Sequence, residues 1–554
     1  MNEYIVTCKN RTDLQDLYDD LETSGGSFYI PDRAVDLIDR REISRNTHYM
    51  LTEEEAVEIR KDSRVIACER PAQDRGITPE YLWEQTGDFN KTTSTFAGDD
   101  KNWGLYRVIE GDSVSNWGSD STTEITNKSI ATSVSGKNVD VVIVDGHINP
   151  DHIEFAVNSD GTGGSRVVQF NWYQYNSVLG YGANGTYTYS TSGSSPNTNH
   201  GSHVAGTVAG NTQGWARDAN IYNMAFSSTL SGTSNWAEKL WDYLRHFHKN
   251  KPINPETGRR NPTITNHSWG YSGGNYSAYL SNISSVDYRG TTTAVDGTTS
   301  EKRAILESNG IPVPASSYLY RVPVRITAVD ADIQDAIDDG VIVIASAGNS
   351  YWNCAVSGDP DYDNTYLNYS STVYHSRGSS PGSADNVICV GSIGSKVAEY
   401  KSNFSNWGSR VDIWGPGSDI ISAVYDSASA TSEGYTPLVA DSRNSSYYLA
   451  SISGTSMSGP QVAGVIACIA QNKPNITNSE ALQYLKENSL PEVGSSSGSE
   501  NDDYETFGSS SHNRYLFIKR KRRSSGSLQQ TTFGNRNADV SGVKYPRTNR
   551  SVTK

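Results

Sequence analysis

Two runs of the 554-residue chain leave little choice of architecture. Val139-Asp140-Val141-Val142-Ile143-Val144 and Gly340-Val341-Ile342-Val343-Ile344-Ala345 are β-branched and apolar almost without a break. A strand with one wet face alternates apolar and polar residues, so a strand without alternation is covered on both faces. Such strands belong to α/β folds, in which a mostly parallel sheet carries helices on both faces and a crevice opens at the carboxyl ends of its strands. Asp145 stands where the first run ends, followed by Gly146, and Ala347-Gly348-Asn349 follows the second. Taken alone, an Asp before Gly or an Asn after Gly is usually a turn residue.

Two further segments place reactive side chains at the starts of helices. In Gly454-Thr455-Ser456-Met457-Ser458-Gly459-Pro460 a Ser occupies a glycine-flanked turn before the apolar run Val462 to Ala470. A helix N-terminus offers unpaired N–H groups and the positive end of the dipole, a setting for a developing oxyanion beside a free hydroxyl. Asn199-His200-Gly201-Ser202-His203-Val204-Ala205-Gly206 likewise joins a polar start to a small-residue helix. Helical spacing sends His200 and His203 in related directions, so position alone does not choose between them.

Together these segments resemble the motifs of subtilisin-like serine proteases, and the chain order Asp145, His200, Ser456 matches that family's. The resemblance implies that Ser456 is the nucleophile, that His200 is the general base with His203 structural, and that Asp145 orients His200. It also implies that the side-chain amide of Asn349 and the backbone N–H of Ser456 bind the oxyanion. Asn266-His267-Ser268-Trp269-Gly270 resembles the family's substrate strand, so Ser268, Trp269 and Gly270, with Ala347 and Gly348, are expected to bind substrate. Trp269 replaces the usual Leu and either narrows a pocket or packs as a core aromatic. One departure concerns the acid: the Ser/Thr-Gly that usually follows the Asp is Gly146-His147 here, and a hydroxyl that normally helps hold the carboxylate is missing. Asn102-Trp103-Gly104-Leu105-Tyr106, Ser405-Asn406-Trp407-Gly408 and Gly415-Pro416-Gly417 extend the likeness, closest to the proteinase K branch.

The expected organisation has four parts. Residues 1–75 alternate strand-like and helix-like stretches, with Leu14, Leu17 and Leu21 at helical spacing and a capping signal at Thr52-Glu53-Glu54-Glu55. This part resembles the family's inhibitor-type prodomain, which implies a zymogen with its own intramolecular inhibitor. Residues 76–101 read as a linker that would hold any autoprocessing site, and residues 102–490 as the catalytic domain, an α/β subtilase fold. An insertion at about 275–325, rich in Ser, Thr and Tyr, interrupts that domain. Residues 491–554 form a Ser/Gly-rich linker and a basic tail, in which residues 511–554 hold eleven Lys/Arg against one acid, Asp539. The tail reads as solvated, with docking on an acidic partner as the alternative, and Tyr515-Leu516-Phe517-Ile518 reads as a short docked strand.

Composition narrows the setting. A formal net charge of −15 argues against nucleic acid as the main ligand. No apolar run reaches the roughly 20 residues of a membrane span. The first residues show no basic region followed by an apolar stretch, so an intracellular or virion-associated location is expected. Five cysteines without a metal-binding motif read as buried small hydrophobes in preference to disulfides. No cofactor is required for catalysis by the implied mechanism. Asp359, Asp361 and Asp363 stand at alternate positions that suit a structural calcium, a solvated acidic loop being the commoner outcome; an acidic loop there would alternatively favour basic residues before the scissile bond. The function expected is a serine endopeptidase acting on polypeptides. The alternative, from another class, is a structural or assembly protein with a subtilase body that cleaves only itself or nothing.

Overall fold

The computed structural model divides into two units, Met1–Tyr81 and Leu82–Lys554. It describes residues 1–26, 36–40, 44–71, 74, 83–91, 95–111, 124–190, 198–225, 236–395, 401–490 and 514–518. In the first unit β1 (Asn2–Cys8), α1 (Leu14–Glu22), β2 (Asp36–Arg40), β3 (Asn46–Leu51), α2 (Glu53–Ile59) and β4 (Val65–Glu69) follow one another. The sheet order β2-β3-β1-β4, antiparallel throughout, is the split βαβ arrangement. Alternation along β1 buries Tyr4, Val6 and Cys8 against Leu17 and Leu21 of α1 and Ala56 and Ile59 of α2. Thr52 and Glu55 close a reciprocal capping box at the start of α2.

The second unit is built on a seven-stranded parallel sheet. Its elements are β5 (Asp140–Asp145), β6 (Val167–Val168), α3 (Thr198–Ala209), β7 (Asn220–Ala225), α4 (Trp236–Asn250), β8 (Thr263–His267), α5 (Thr327–Asp338), β9 (Ile342–Ser346), β10 (Ile388–Ile393), β11 (Ile413–Pro416) and α6 (Thr455–Asn472). The unbroken apolar runs behave as their composition demands. Val141, Ile143, Ile342 and Ile344 pack on one face with Val204 and Val208 of α3 and Val462 and Ile466 of α6. Val142, Val144, Val343 and Ala345 pack on the other with Leu240, Trp241 and Leu244 of α4 and Ile333 of α5. Each such side chain contributes about 1.5–3 kcal/mol by leaving water, which is why both layers of helices are held.

The strand order β11-β10-β9-β8-β5-β7-β6 explains where a site can form. From β5 the chain runs to β6 at the edge, returns to β7 between the two, then crosses to β8 on the other side of β5 and builds outward. The reversal opens a crevice beside the carboxyl end of β5, where Asp145 ends the strand. Helices α3 and α6 start at this same end. Within the stretch expected as a linker, Trp83–Asn90 forms a strand antiparallel to Glu124–Thr132.

The inserted region has a core of its own. Ile283–Tyr288 and Thr291–Ala294 form a hairpin that is completed by Thr365–Asn368 and Ser371–Tyr374, strands that lie well beyond residue 325. Leu280, Val286, Leu306 of the helix Thr299–Ser308, Leu319, Val322, Trp352 and Tyr366 are buried together. Near the C-terminus Tyr515 pairs with Trp414 and Leu490, and Tyr515, Leu516 and Ile518 are buried, as the docked strand expected there requires. The rest of the basic tail lies outside the described residues. All five cysteines are free and buried. No helix among the described residues is long and apolar enough to cross a membrane.

Candidate active site

One cleft of about 440 Å³ is lined by Asp145, His200, Asn349 and Ser456, together with Ser268, Trp269, Gly270 and Gly348. Asp145 arrives from the end of β5, His200 from the first turn of α3 and Ser456 from the first turn of α6. His200 Nδ1 lies 2.8 Å from Asp145 Oδ1, which also accepts the Gly146 N–H at 2.6 Å. Asp145 Oδ2 is buried and has no hydrogen-bond partner among the described residues.

Charge tunes the imidazole. Burial alone would push His200 down, but the neighbouring Asp145 charge, the hydrogen bond to it and the more distant Glu433 charge outweigh burial and hold its pKa above 6.5. His203, three residues on, is fully buried with Nε2 against the carbonyls of Ile420 and Ala450, and burial pushes its pKa down to about 3. It is a neutral packing residue one helical turn from the cleft. His147 is likewise pushed down to about 4 by burial and takes the Ser190 N–H on Nδ1.

Ser456 is tied to Ser268, the residue that follows β8. Its Oγ donates to the Ser268 carbonyl at 3.2 Å, and Ser268 Oγ donates back to the Ser456 carbonyl at 3.0 Å. Asn349 is oriented by Thr455, whose N–H and Oγ both donate to Asn349 Oδ1 at 2.8 and 2.7 Å. Fixing the amide oxygen fixes the opposite side: Asn349 Nδ2 and the Ser456 N–H carry no hydrogen bond among the described residues. Both donors belong to residues that line the cleft. The Gly348 N–H donates to Thr455 Oγ at 3.2 Å, and Gly348 holds φ +107° beside Asn406, a conformation strained for any other residue.

Sequence-expected substrate residues divide in two. Ser268, Trp269, Gly270 and Gly348 line the cleft, with Trp269 half-buried against Trp236, His267 and Tyr271. Ala347 is not brought to the cleft surface; it packs with Cys389, Ile393 and Trp414 beneath it. The acidic loop does not form a cation site. Asp361 accepts from Arg289 at 2.7 and 3.0 Å and from two Asn side chains, and Asp363 pairs with Arg377. Asp359 caps the Asp361 N–H. Among the described residues no group of three or more His, Cys, Asp or Glu is placed to hold a metal ion.

Several contributors were not singled out by pattern. Thr455 orients Asn349, Ser346 Oγ donates to the Thr455 carbonyl at 2.8 Å, and Asn406 takes the Ser350 and Trp352 N–H groups while donating to the Ala347 carbonyl. Each lies inside a quoted motif, and polar residues flanking a Gly-Asn or Gly-Thr-Ser turn were the available signal. Ser379 and Arg321, which also line the cleft, come from segments with no motif.

Known proteins resemble this chain at the level of the family. The profile of the Subtilase family matches residues 136–515. The alkaline proteinase of Hapsidospora chrysogena is 29% identical over 355 residues, 63% of this chain and 57% of that protein. Alkaline serine exoprotease A of Vibrio alginolyticus is 25% identical over 431 residues, 78% of this chain and 52% of that protein. The extracellular serine proteinase of a Thermus species is 30% identical over 172 residues, 31% of this chain and 32% of that protein. The chain thus spans about half the length of the first two relatives, at 57% and 52%. A crystal structure of a cold adapted subtilisin-like serine proteinase covers 77% of this chain and 98% of its own, with 22% identity and a TM-score of 0.42. The intracellular or virion-associated location expected from the first residues is overturned by these relatives, one of which is named as an extracellular enzyme. A chain start without a visible leader therefore carries no argument about location.

Proposed function

Because this chain belongs to the subtilase family, we propose that it is a serine-type endopeptidase with Ser456 as nucleophile, His200 as general base and Asp145 as the group that orients His200. Asn349 Nδ2 and the Ser456 N–H are the oxyanion donors. The observation that carries this reading is the cleft in which the Asp145–His200 pair, Ser456 and two unengaged donors meet.

In this reading Ser456 Oγ leaves its resting bond to the Ser268 carbonyl and turns toward His200, a movement in keeping with the looser geometry of unliganded sites. Oγ attacks the peptide carbonyl carbon while His200 Nε2 takes its proton. The carbonyl oxygen gains charge between Asn349 Nδ2 and the Ser456 N–H, donors already aimed before the reaction begins. Asp145 keeps the Nδ1–H tautomer and stabilises the imidazolium without itself taking the proton. His200 then protonates the leaving amine, and water releases the acyl group by the same steps in reverse. Extended substrate pairs with the Ser268–Gly270 edge by main-chain hydrogen bonds. Every group in these steps belongs to the chain or its substrate.

We assign the first unit the role of intramolecular inhibitor, released by cleavage within residues 76–101. Its independent core and split βαβ order support a segment able to keep its shape once detached. Ser456→Ala should abolish peptide hydrolysis and fluorophosphonate labelling while leaving the thermal unfolding curve in place. Undiminished hydrolysis by that variant sinks the assignment. Intact mass tests the processing: the first unit should be lost from the parent protein and retained by Ser456→Ala.

A further inference from the structure

We infer that Arg321 is a specificity-determining residue and that the enzyme cleaves after acidic residues, an inference that rests on the peptidase reading above. The charged side chains lining the cleft are Asp145, His200 and Arg321, and the first two satisfy each other. Arg321 is exposed and makes no ion pair or hydrogen bond among the described residues. Other arginines of the insertion and of the segments that follow it are engaged: Arg289 with Asp361, Arg303 with Glu307, Arg325 with Asp330 and Arg377 with Asp363. Asp361 and Asp363 of the acidic loop are thereby paired, and Arg321 is left as the cation lining the cleft.

The backbone holds that cation in place. Leu319 and Val322 on either side are fully buried in the core of the insertion. Gly273 N–H donates to the Val322 carbonyl at 3.2 Å, and Val324 N–H donates to the Tyr271 carbonyl at 3.1 Å. The chain around Arg321 is thus pinned along the continuation of the substrate strand. Arg321 itself adopts φ +50°, a left-handed conformation that a non-glycine residue keeps only when its surroundings impose it.

The cleft around it sets serine hydroxyls beside the rings of Trp269 and Tyr271. A Cβ on Gly270 would come within 2.8 Å of Ser379 Oγ, so glycine keeps a slot open between the strand and Ser379. Ser350 and Ser379 line this region with Arg321, within the cleft that holds Asn349. The side chain of the residue whose carbonyl meets Asn349 and Ser456 enters here. A carboxylate in the slot can take paired hydrogen bonds from the planar guanidinium, with the serine hydroxyls as further donors. An uncharged isostere forgoes the charge-assisted bonds, and a lysine meets like charge.

The test uses internally quenched peptides that differ only in that residue: Glu, Gln or Lys. For the parent protein, kcat/KM for Glu should exceed that for Gln by about tenfold or more, as expected of a hydrogen bond to a charged group, and the ratio should shrink in concentrated salt. Arg321→Glu should reverse the order of Glu and Lys, and Arg321→Lys should keep part of the Glu preference. A parent Glu/Gln ratio near one, or an order unchanged in Arg321→Glu, overturns the inference and leaves the peptidase reading standing. The parent ratio decides even if a variant folds poorly. Absence of any Ser456-dependent cleavage across the set overturns both.

Discussion

Asp145→Asn changes the electrostatics of the cleft with almost no change of shape. The carboxylate is buried, its Oδ1 is held by the Gly146 N–H and His200 Nδ1, and its Oδ2 has no partner. In the variant the amide oxygen keeps the Oδ1 position, because the Gly146 N–H needs an acceptor there, and the NH2 takes the empty side. The Nδ1–H tautomer of His200 survives and the negative charge is lost. Charge centres about 4 Å apart at an effective dielectric near 20 attract by about 4 kcal/mol, so the imidazolium formed in the transition state loses about three decades of rate. Stability should move the other way. A buried anion with an unpartnered oxygen costs about 1–3 kcal/mol, part of which the neutral amide removes. The assay is kcat on a quenched peptide, read beside the denaturation midpoint of the same preparation. A kcat within tenfold of the parent refutes the electrostatic role, and a lower midpoint shows that Asp145 serves the fold more than the reaction.

The same pair gives rate and stability opposite dependence on pH. His200 has its pKa raised in the folded protein, so the Asp145–His200 contribution to stability is fully present below the unfolded value of about 6.5. It is lost as pH rises through the raised folded value. Only the neutral imidazole accepts a proton, so kcat/KM climbs over that interval. In Asp145→Asn the two largest influences that raise the pKa are gone and burial remains, so the acidic limb of the rate profile should move to lower pH. A limb that stays in place contradicts the reasoning.

Two further substitutions probe geometry. A Cβ at Gly201 would lie 2.6 Å from the Gly146 carbonyl oxygen, so Gly201→Ala should push the start of α3 away from Asp145 and lower kcat/KM by about a hundredfold, the scale of a 1 Å misplacement; steady-state kinetics with an unchanged circular dichroism spectrum checks it. Asn349→Leu should lower kcat by about 10²–10³-fold with little change in KM, whereas Thr455→Val, which keeps the Thr455 N–H bond to Asn349 Oδ1, should lower it by far less. Equal losses in these two variants would mean that Asn349 acts through the Thr455 bonds alone.

What was legible in the residues is what local chemistry dictates. Uninterrupted β-branched runs require two covered faces, and both runs became interior strands of the sheet. The starts of α3 and α6 could be read because a reactive side chain at a helix N-terminus needs small neighbours, and Gly201, Gly454 and Gly459 supplied them. The departure from the family motif after Asp145 is a single residue, Gly146, and among the described residues Asp145 Oδ2 has no partner. Ala347 was placed too close to substrate because a motif names residues without saying which way they face; its methyl group turns toward Cys389 and Trp414. The Asp359–Asp363 spacing suits a cation as well as a solvated loop and gives no hint of ion pairing, because Arg289 and Arg377, which engage Asp361 and Asp363, lie 72 and 14 residues from their partners. Long-range charge pairing leaves no periodic trace in sequence.

That pairing also separates reactivity from selectivity in this chain. The reacting groups come from the ends of β5, α3 and α6, elements whose place follows from the sheet, so their chemistry is robust to changes in the loops. Arg321 comes from a segment whose place depends on Leu319 and Val322 entering a core completed by Tyr366 and Val373. The hairpin strand Ile283–Tyr288 of the insertion pairs with Thr365–Asn368, downstream of Asn349, so the insertion and the loop after Asn349 fold as one body. Within that body Asp361 and Asp363 are matched to Arg289 and Arg377, while Arg321 has no acidic partner among the described residues. Exchanging the insertion should therefore alter which peptides are cleaved while sparing the geometry of Asp145 and His200, whose contacts lie in β5 and α3.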